Sequence, residues 1–298
     1  MIPLFDLHCD TLLSLYKSNS NIKSNNLHIS YEKATNFSPY IQVGAIWSDN
    51  SLSDEEAYLQ YLNVINYISR QDIHFAKRAS HLREKSFILA VEDARICTDI
   101  DTIDVLYSHG VRMLGLNWSG INSIGGAWDT SAHLTDFGIE IVKKCCKLGI
   151  IVDISHSNEA TSNEAIDLCQ AYGGYVLASH SNAYGVLNHR RNISDELFSR
   201  LRSINSIVGI SLASFHLGNS YVEIDQILKH IEHFLKLGGK SNICLGCDFD
   251  GVDTLPQGIR SVSDLSKLFE KIKLTFGDVI AKKIFFDNAY KFICRALN

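Results

Sequence analysis

Eight short runs of the chain are nearly continuous in apolar character. They are PLFDLHCD at 3–10, IQVGAIWS at 41–48, SFILAVED at 86–93, VRMLGLNW at 111–118, GIIVDISH at 149–156, GYVLASHS at 174–181, SIVGISLA at 206–213 and NICLGCDF at 242–249. Their richness in Val, Ile and Leu suits parallel strands covered on both faces. Between most of them the apolar period lengthens to that of an amphipathic helix. Over 53–69, Ser53 and Glu56 fit a reciprocal cap, and Tyr58, Tyr61, Leu62, Ile65 and Ile68 follow at helical spacing. Residues 138–147, 158–170, 194–203 and 223–237 look similar. This alternation predicts an α/β fold, a (β/α)8 TIM barrel, as one domain over residues 1–298. An open doubly wound sheet is the alternative, but no Gly-rich phosphate loop follows the first strand. The polar, Asn- and Ser-rich stretch 17–40 reads as a long loop after the first strand and a short helix.

Composition narrows the partners. The 298 residues are 46% hydrophobic and 20% charged, enough for one large barrel core. The net charge is −5 with no Lys/Arg cluster, so neither nucleic acid nor an anionic membrane surface is expected as a partner. No basic n-region opens the chain and no apolar run approaches membrane-spanning length, from which a cytoplasmic protein is expected. Most of the eight cysteines lie in apolar segments. Cys244 and Cys247 form a C-x-x-C inside a strand with no second pair, so buried reduced thiols are expected rather than a structural zinc site.

Chemistry gathers at the strand ends. In DLHCDT, Asp6, His8 and Asp10 alternate, which places them on one side of an extended strand. The third strand ends in Glu92, the fifth in His156, the sixth in His180, and the eighth in Asp248 and Asp250. In a barrel all these ends open on one face, where active sites are built. One strand-end histidine is more often merely hydrogen-bonded or solvated; it is the joint recurrence that points to a site. Imidazole nitrogens and carboxylate oxygens without thiolates suit zinc or a similar divalent metal in an open site. The donors exceed what one tetrahedral zinc needs, and two metals sharing a bridging carboxylate account for the surplus. Histidines 28, 74, 81, 109, 133, 189, 216, 230 and 233 fall in helices or loops and are read mostly as surface residues.

DLHCDT, the Glu of AVEDA, DISHS, SHSNAYGVLNHRRNISDE and GCDFDGV together resemble the membrane (renal) dipeptidase family, the M19 metallopeptidases. LTDFGIEIVKKCCKLGIIVDISH and the C-terminal FFDNAYKFI add to the likeness, which runs from about residue 3 to residue 293. The resemblance implies a distorted (β/α)8 TIM barrel and a binuclear zinc dipeptidase that cleaves the amide bond of a small peptide through a metal-bridging hydroxide. It implies that His8 and Asp10 bind one zinc, that Glu92 bridges, and that His156 and His180 bind the second. Asp248 would transfer the proton, Arg191 would grip the substrate's free carboxylate with Asn192 beside it, and Asp6 would support the ligands. A homodimer is what the resemblance suggests.

One departure bears on the substrate. Family members carry a carbonyl-polarising His after the fourth strand, where LGLNWSGINSIGGA places Trp118. Asn117 or Asn122 would have to supply that donor, or Trp118 would serve as a substrate-binding pocket wall. Three activities follow: the dipeptidase, a related metal-dependent amide or lactam hydrolase, and a catalytically silent metal-binding barrel.

Overall fold

The computed structural model describes residues 1–218 and 221–298. Eight parallel strands form one sheet: β1 Ile2–Asp6, β2 Phe37–Trp47, β3 Lys85–Glu92, β4 Val111–Gly115, β5 Ile151–Asp153, β6 Val176–Leu177, β7 Val208–Ile210 and β8 Ile243–Leu245. Their order is β6-β5-β4-β3-β2-β1-β8-β7, and the parallel bridge between Ala178 and Val208 joins the two edges into a barrel. The helices are α1 Thr11–Ser18, α2 Asp54–Ile68, α3 Thr102–His109, α4 Asp136–Leu148, α5 Glu159–Tyr172, α6 Asp195–Ser203, α7 Ser214–Leu217, α8 Ile224–Lys236, α9 Leu265–Phe276, α10 Asp278–Lys282 and α11 Asn288–Ala296.

The helices start and stop where local chemistry directs. Ser53 accepts a hydrogen bond from Glu56 N–H while the Glu56 carboxylate accepts one from Ser53 N–H, closing the reciprocal cap of α2. Thr135, Asn158 and Ser194 cap α4, α5 and α6 through their side chains. Gly149 and Gly173 end α4 and α5 in the left-handed region, at φ 72° and 68°.

Two buried layers follow from the two faces of the strands. Phe5, Ile41, Val43, Ala45, Ile88, Ala90, Met113, Ile151, Leu177 and Cys244 form one cluster, and α11 joins it through Ala289, Phe292 and Ile293. Tyr40, Ile46, Phe87, Leu89, Val91 and Val152 face the other way, into the larger cluster shared with the helices. Seven of the eight cysteines are buried, all eight are unbridged, and only Cys294 is part-exposed. Among the described residues no helix is long and apolar enough to cross a membrane.

All the strands but β2 and β3 are shorter than their apolar patterns suggest. β1 stops at Asp6, β5 at Asp153, β6 at Leu177 and β8 at Leu245, each before the polar residues that the pattern had included. Past these points the regular ladder gives way to single pairings, such as the parallel bridge between Cys9 and Phe249, and polar side chains turn over the barrel's mouth. The alternation of Asp6, His8 and Asp10 on one extended strand therefore holds only in part, since Asp10 is the N-cap of α1.

Candidate active site

The side chains at the C-terminal mouth converge. Glu92 continues the Ile88–Ala90 face of β3, so it points the same way as that apolar cluster but one layer higher. Its Oε1 lies 2.7 Å from His156 Nε2 and 3.6 Å from His180 Nε2, and its Oε2 lies 3.5 Å from His8 Nε2. His8 Nε2 is 3.4 Å from Asp10 Oδ2 and 3.9 Å from Asp248 Oδ1. His8–Asp10–Glu92 and Glu92–His156–His180 are each grouped so that all donor atoms lie within 4.8 Å of one another. Every one of these residues is buried except His156, which is nearly so.

The other ring nitrogens explain why the Nε2 atoms face inward. His156 Nδ1 meets the carbonyl oxygen of Trp118 at 2.9 Å, an acceptor, so Nδ1 carries the proton. His180 Nδ1 lies 2.7 Å from Ser179 Oγ, and that hydroxyl donates to Asp153 Oδ2. The same Ser179 Oγ lies 3.4 Å from His8 Nδ1. Asp153 thus steers His180 through one hydroxyl, which turns the Nε2 of that ring toward the centre.

The donor set fits a divalent cation. His8 Nε2 and Asp10 Oδ1 are buried with no hydrogen-bond partner, an arrangement that costs about 1–3 kcal/mol per group unless something completes it. Donors spaced by 3.4 to 3.6 Å are too far apart for hydrogen bonds. Two ligands on one tetrahedral ion at ordinary bond lengths lie about 3.3 Å apart.

Burial and crowding of charge set the acidities. Burial pushes the Asp248 carboxyl up to about 7, with the Asp10 and Glu92 charges adding and His8 and Arg191 opposing. Burial likewise lifts Asp10 to about 6. Burial works against ionised Glu92, but His8 and His156 outweigh it and hold that carboxylate well below its usual range. Burial opposes a charge on His8 as well, yet Glu92 and Asp10 raise its pKa well above 6.5. His156 and His180 go down, through burial first and cationic neighbours second.

Loop geometry holds the remaining residues. Asp248 and Asp250 both adopt positive φ, 63° and 64°, a sparsely populated region that Asp tolerates better than most residues. Between the turn and the site stands Gly251, where an added Cβ would run into the carboxylates of Asp10 and Asp248. Asp250 takes no part in the cluster: it accepts from Thr11 Oγ1 and from His28 N–H, both at 2.6 Å, and so fastens the long loop after α1. Asp6 is fully buried beneath the site, accepting from Cys247 N–H at 2.8 Å and from the Gln42 amide at 3.1 Å. Arg191 is buried, with Nη1 donating to Ser155 O and Nη2 lying 2.9 Å from His156 Nε2. Burial lowers its pKa to about 10, still charged at neutrality. Asn192 ties the carbonyls of Leu187 and His216 together, both at 3.0 Å, which braces the Arg191 segment against α7.

A cavity of about 570 Å³ opens over the cluster, reached by Asp10, Glu92, His156, Arg191 and Asp248. Trp118 lines it, as do Trp47 and Trp128. The amides of Asn117 and Asn122 do not serve it: Asn117 Nδ2 donates to Asn122 Oδ1 and Gly125 O, and Asn122 Nδ2 to Asp93 Oδ1 and Leu116 O.

The histidine reading needs correction: His216 and His230 are buried, at 3% and 0% exposure, and His189 and His216 line the cavity. Their signal was faint, since His216 lies past the seventh strand and His189 inside a loop. Asp153 and Ser179 were also passed over, although both stand within motifs that otherwise marked the site. Asp153 continues the inward face of Ile151, and Ser179 immediately precedes His180.

The chain belongs to the membrane dipeptidase family, peptidase family M19, whose model matches residues 1–296. It is similar to two proteins of Schizosaccharomyces pombe named as uncharacterized dipeptidases. One is 29% identical over 263 residues, covering 79% of this chain and 63% of the relative. The other is 31% identical over 187 residues, covering 60% and 44%. The chain thus spans about half the length of these curated relatives. Two solved structures share its fold at 24% identity, with a TM-score of 0.89 and 99% of both chains covered. They are a family M19 metallo peptidase called dipeptidase AC, and a metallo peptidase from Rhodobacter sphaeroides liganded with a phosphinate mimic of the dipeptide L-Ala-D-Ala.

Proposed function

We propose that the protein is a dipeptidase that works with two bound divalent ions, zinc being the ion its donors suit best. Its substrates would be small dipeptides with a free C-terminal carboxylate. The observation that carries this reading is the split of Glu92, with Oε1 toward His156 and His180 and Oε2 toward His8. One carboxylate that aims each oxygen at a separate nitrogen set suits a bridge better than a single closed site. His8, Asp10 and Glu92 would hold one ion, and Glu92, His156 and His180 the other. When bound, such a pair acidifies a water and draws charge from the amide carbonyl.

The chain's own residues supply the rest. Asp248, whose Oδ1 lies 3.9 Å from His8 Nε2 at the edge of the donor cluster, is placed to accept the water's proton and deliver it to the leaving amine. Arg191 is the only guanidinium lining the cavity among the described residues, and its planar fork matches a carboxylate bidentately. Its Nη2 rests against His156 Nε2. Once that lone pair is engaged elsewhere, the Nη2 hydrogen is free for the substrate's carboxylate. The dipeptide mimic bound by the Rhodobacter sphaeroides relative is in keeping with a substrate of this size.

The test is metal content measured beside activity. Protein purified without chelator and reconstituted with zinc should hold about two ions per chain and hydrolyse Ala-Ala but not its C-terminal amide. Failure to retain metal would sink the constellation. Two ions without hydrolysis of any dipeptide would sink the dipeptidase reading while leaving the site.

A further inference from the structure

All three tryptophans of the chain line the one cavity above the candidate metal donors. Trp47 and Trp118 pair there, with ring centroids 5.0 Å apart and planes tilted by 58°. Both are only half-buried, and Leu13 extends the same wall. Lys17 Nζ lies 5.5 Å from the Trp47 ring and borders the wall with charge. Aromatic surface left open in a concave polar site is what a ligand's apolar group covers.

The position of this wall gives it an address. His156 links the wall and Arg191: Trp118 meets its Nδ1 through the backbone carbonyl, with the Trp118 and His156 ring centroids 6.2 Å apart, and Arg191 meets its other ring nitrogen, Nε2. His189 lines the cavity beside the Arg191 backbone, its Nδ1 accepting from Arg191 N–H at 3.2 Å. A dipeptide anchored at Arg191 by its carboxylate, with its amide over Glu92 and His156, therefore extends its amino-terminal residue toward Trp118 and Trp47.

We propose that the Trp47–Trp118 wall is the subsite for the substrate's amino-terminal side chain, and that it selects bulky apolar or aromatic side chains there. The proposal rests on the dipeptide reading for its orientation. The wall offers two indole faces and an aliphatic side chain against such a group. Ala or Gly at that position leaves this surface uncovered.

The experiment compares Leu-Ala with Ala-Ala on the zinc-loaded protein. The expected ratio of kcat/KM is about tenfold or more in favour of Leu-Ala, the scale at which apolar pockets discriminate. Trp47→Ala should bring the ratio to within about threefold of unity, and Trp47→Phe should keep most of it. Trp118→Ala, on the other half of the pair, should repeat the loss and guards against misfolding of one variant. A flat ratio in the wild type, or a ratio untouched by both alanine variants, overturns the proposal. Titration of intrinsic tryptophan fluorescence with the same dipeptides reads binding apart from turnover. If no dipeptide is hydrolysed, the dipeptidase reading fails, and the titration still decides the subsite: tighter binding of Leu-Ala supports it, and equal binding overturns it.

Discussion

Ser179 Oγ lies 2.7 Å from Nδ1 of His180, and the same hydroxyl donates a hydrogen bond to the buried carboxylate of Asp153. Through that contact a carboxylate outside the donor cluster sets the direction of a ring inside it. Removing the hydroxyl frees the ring to turn. Ser179→Ala should weaken zinc binding about 10- to 100-fold in competition with a chelator, the usual cost of losing such support. Unchanged affinity would mean that packing alone orients His180.

Asp248 approaches His8 at 3.9 Å, the longest separation from that nitrogen among the clustered carboxylates. A proton carrier at that place is dispensable for metal retention and needed for turnover. Asp248→Asn should keep its metal content while kcat falls about 100-fold or more. Elemental analysis beside a dipeptide assay decides it, and turnover equal to wild type would remove Asp248 from the chemistry.

Arg191 should carry the discrimination between a free and an amidated C-terminus. A buried charge-assisted pair is worth about 1.5–3 kcal/mol, so Arg191→Met should cost about 10- to 100-fold in kcat/KM on free dipeptides. The loss should be much smaller on C-terminally amidated ones. An equal loss on both would assign Arg191 to structure, through Ser155 and His156.

Gly251→Ala tests the close approach of the loop after β8. The added Cβ would collide with the Asp10 and Asp248 carboxylates, while the barrel core lies elsewhere. Native-like circular dichroism with reduced metal content and activity is the expected outcome. Full metal loading at wild-type rates would show that the loop gives way.

His230, which is not one of the clustered donors, ties stability to pH. Its Nδ1 accepts from Ala183 N–H at 3.0 Å, and burial lowers its pKa to about 4, from an ordinary 6.5. Above pH 6.5 the ring is neutral in both states and stability is undiminished. Between pH 6.5 and about 4 the unfolded chain binds a proton that the folded one refuses, so stability falls with pH by up to about 3 kcal/mol. Urea unfolding across that window should show a shallower pH slope for His230→Gln than for wild type. Identical slopes would clear His230 of the effect.

The sequence by itself determined the barrel and most of the donor cluster. Eight buried strands must be nearly continuous in apolar residues, so each polar residue at the end of such a run is conspicuous, and His8, Glu92, His156, His180 and Asp248 stood out in this way. Helix limits were legible too: α2 and α6 each fall within one residue of the segments read from capping and period. Strand ends were not, because a ladder stops where a partner stops, and the partner lies tens of residues away. Only the tertiary structure decided that Asp250 fastens a loop while Asp248 faces the donors, although the two carboxylates stand two residues apart with nearly the same backbone φ. Only it brought Asp153 under Ser179, His216 to the cavity wall, and Trp47 at the end of β2 together with Trp118 and Trp128 of the β4–α4 loop around one opening. Such contacts join residues far apart in the chain, and periodicity reports which way a side chain faces, never what it meets.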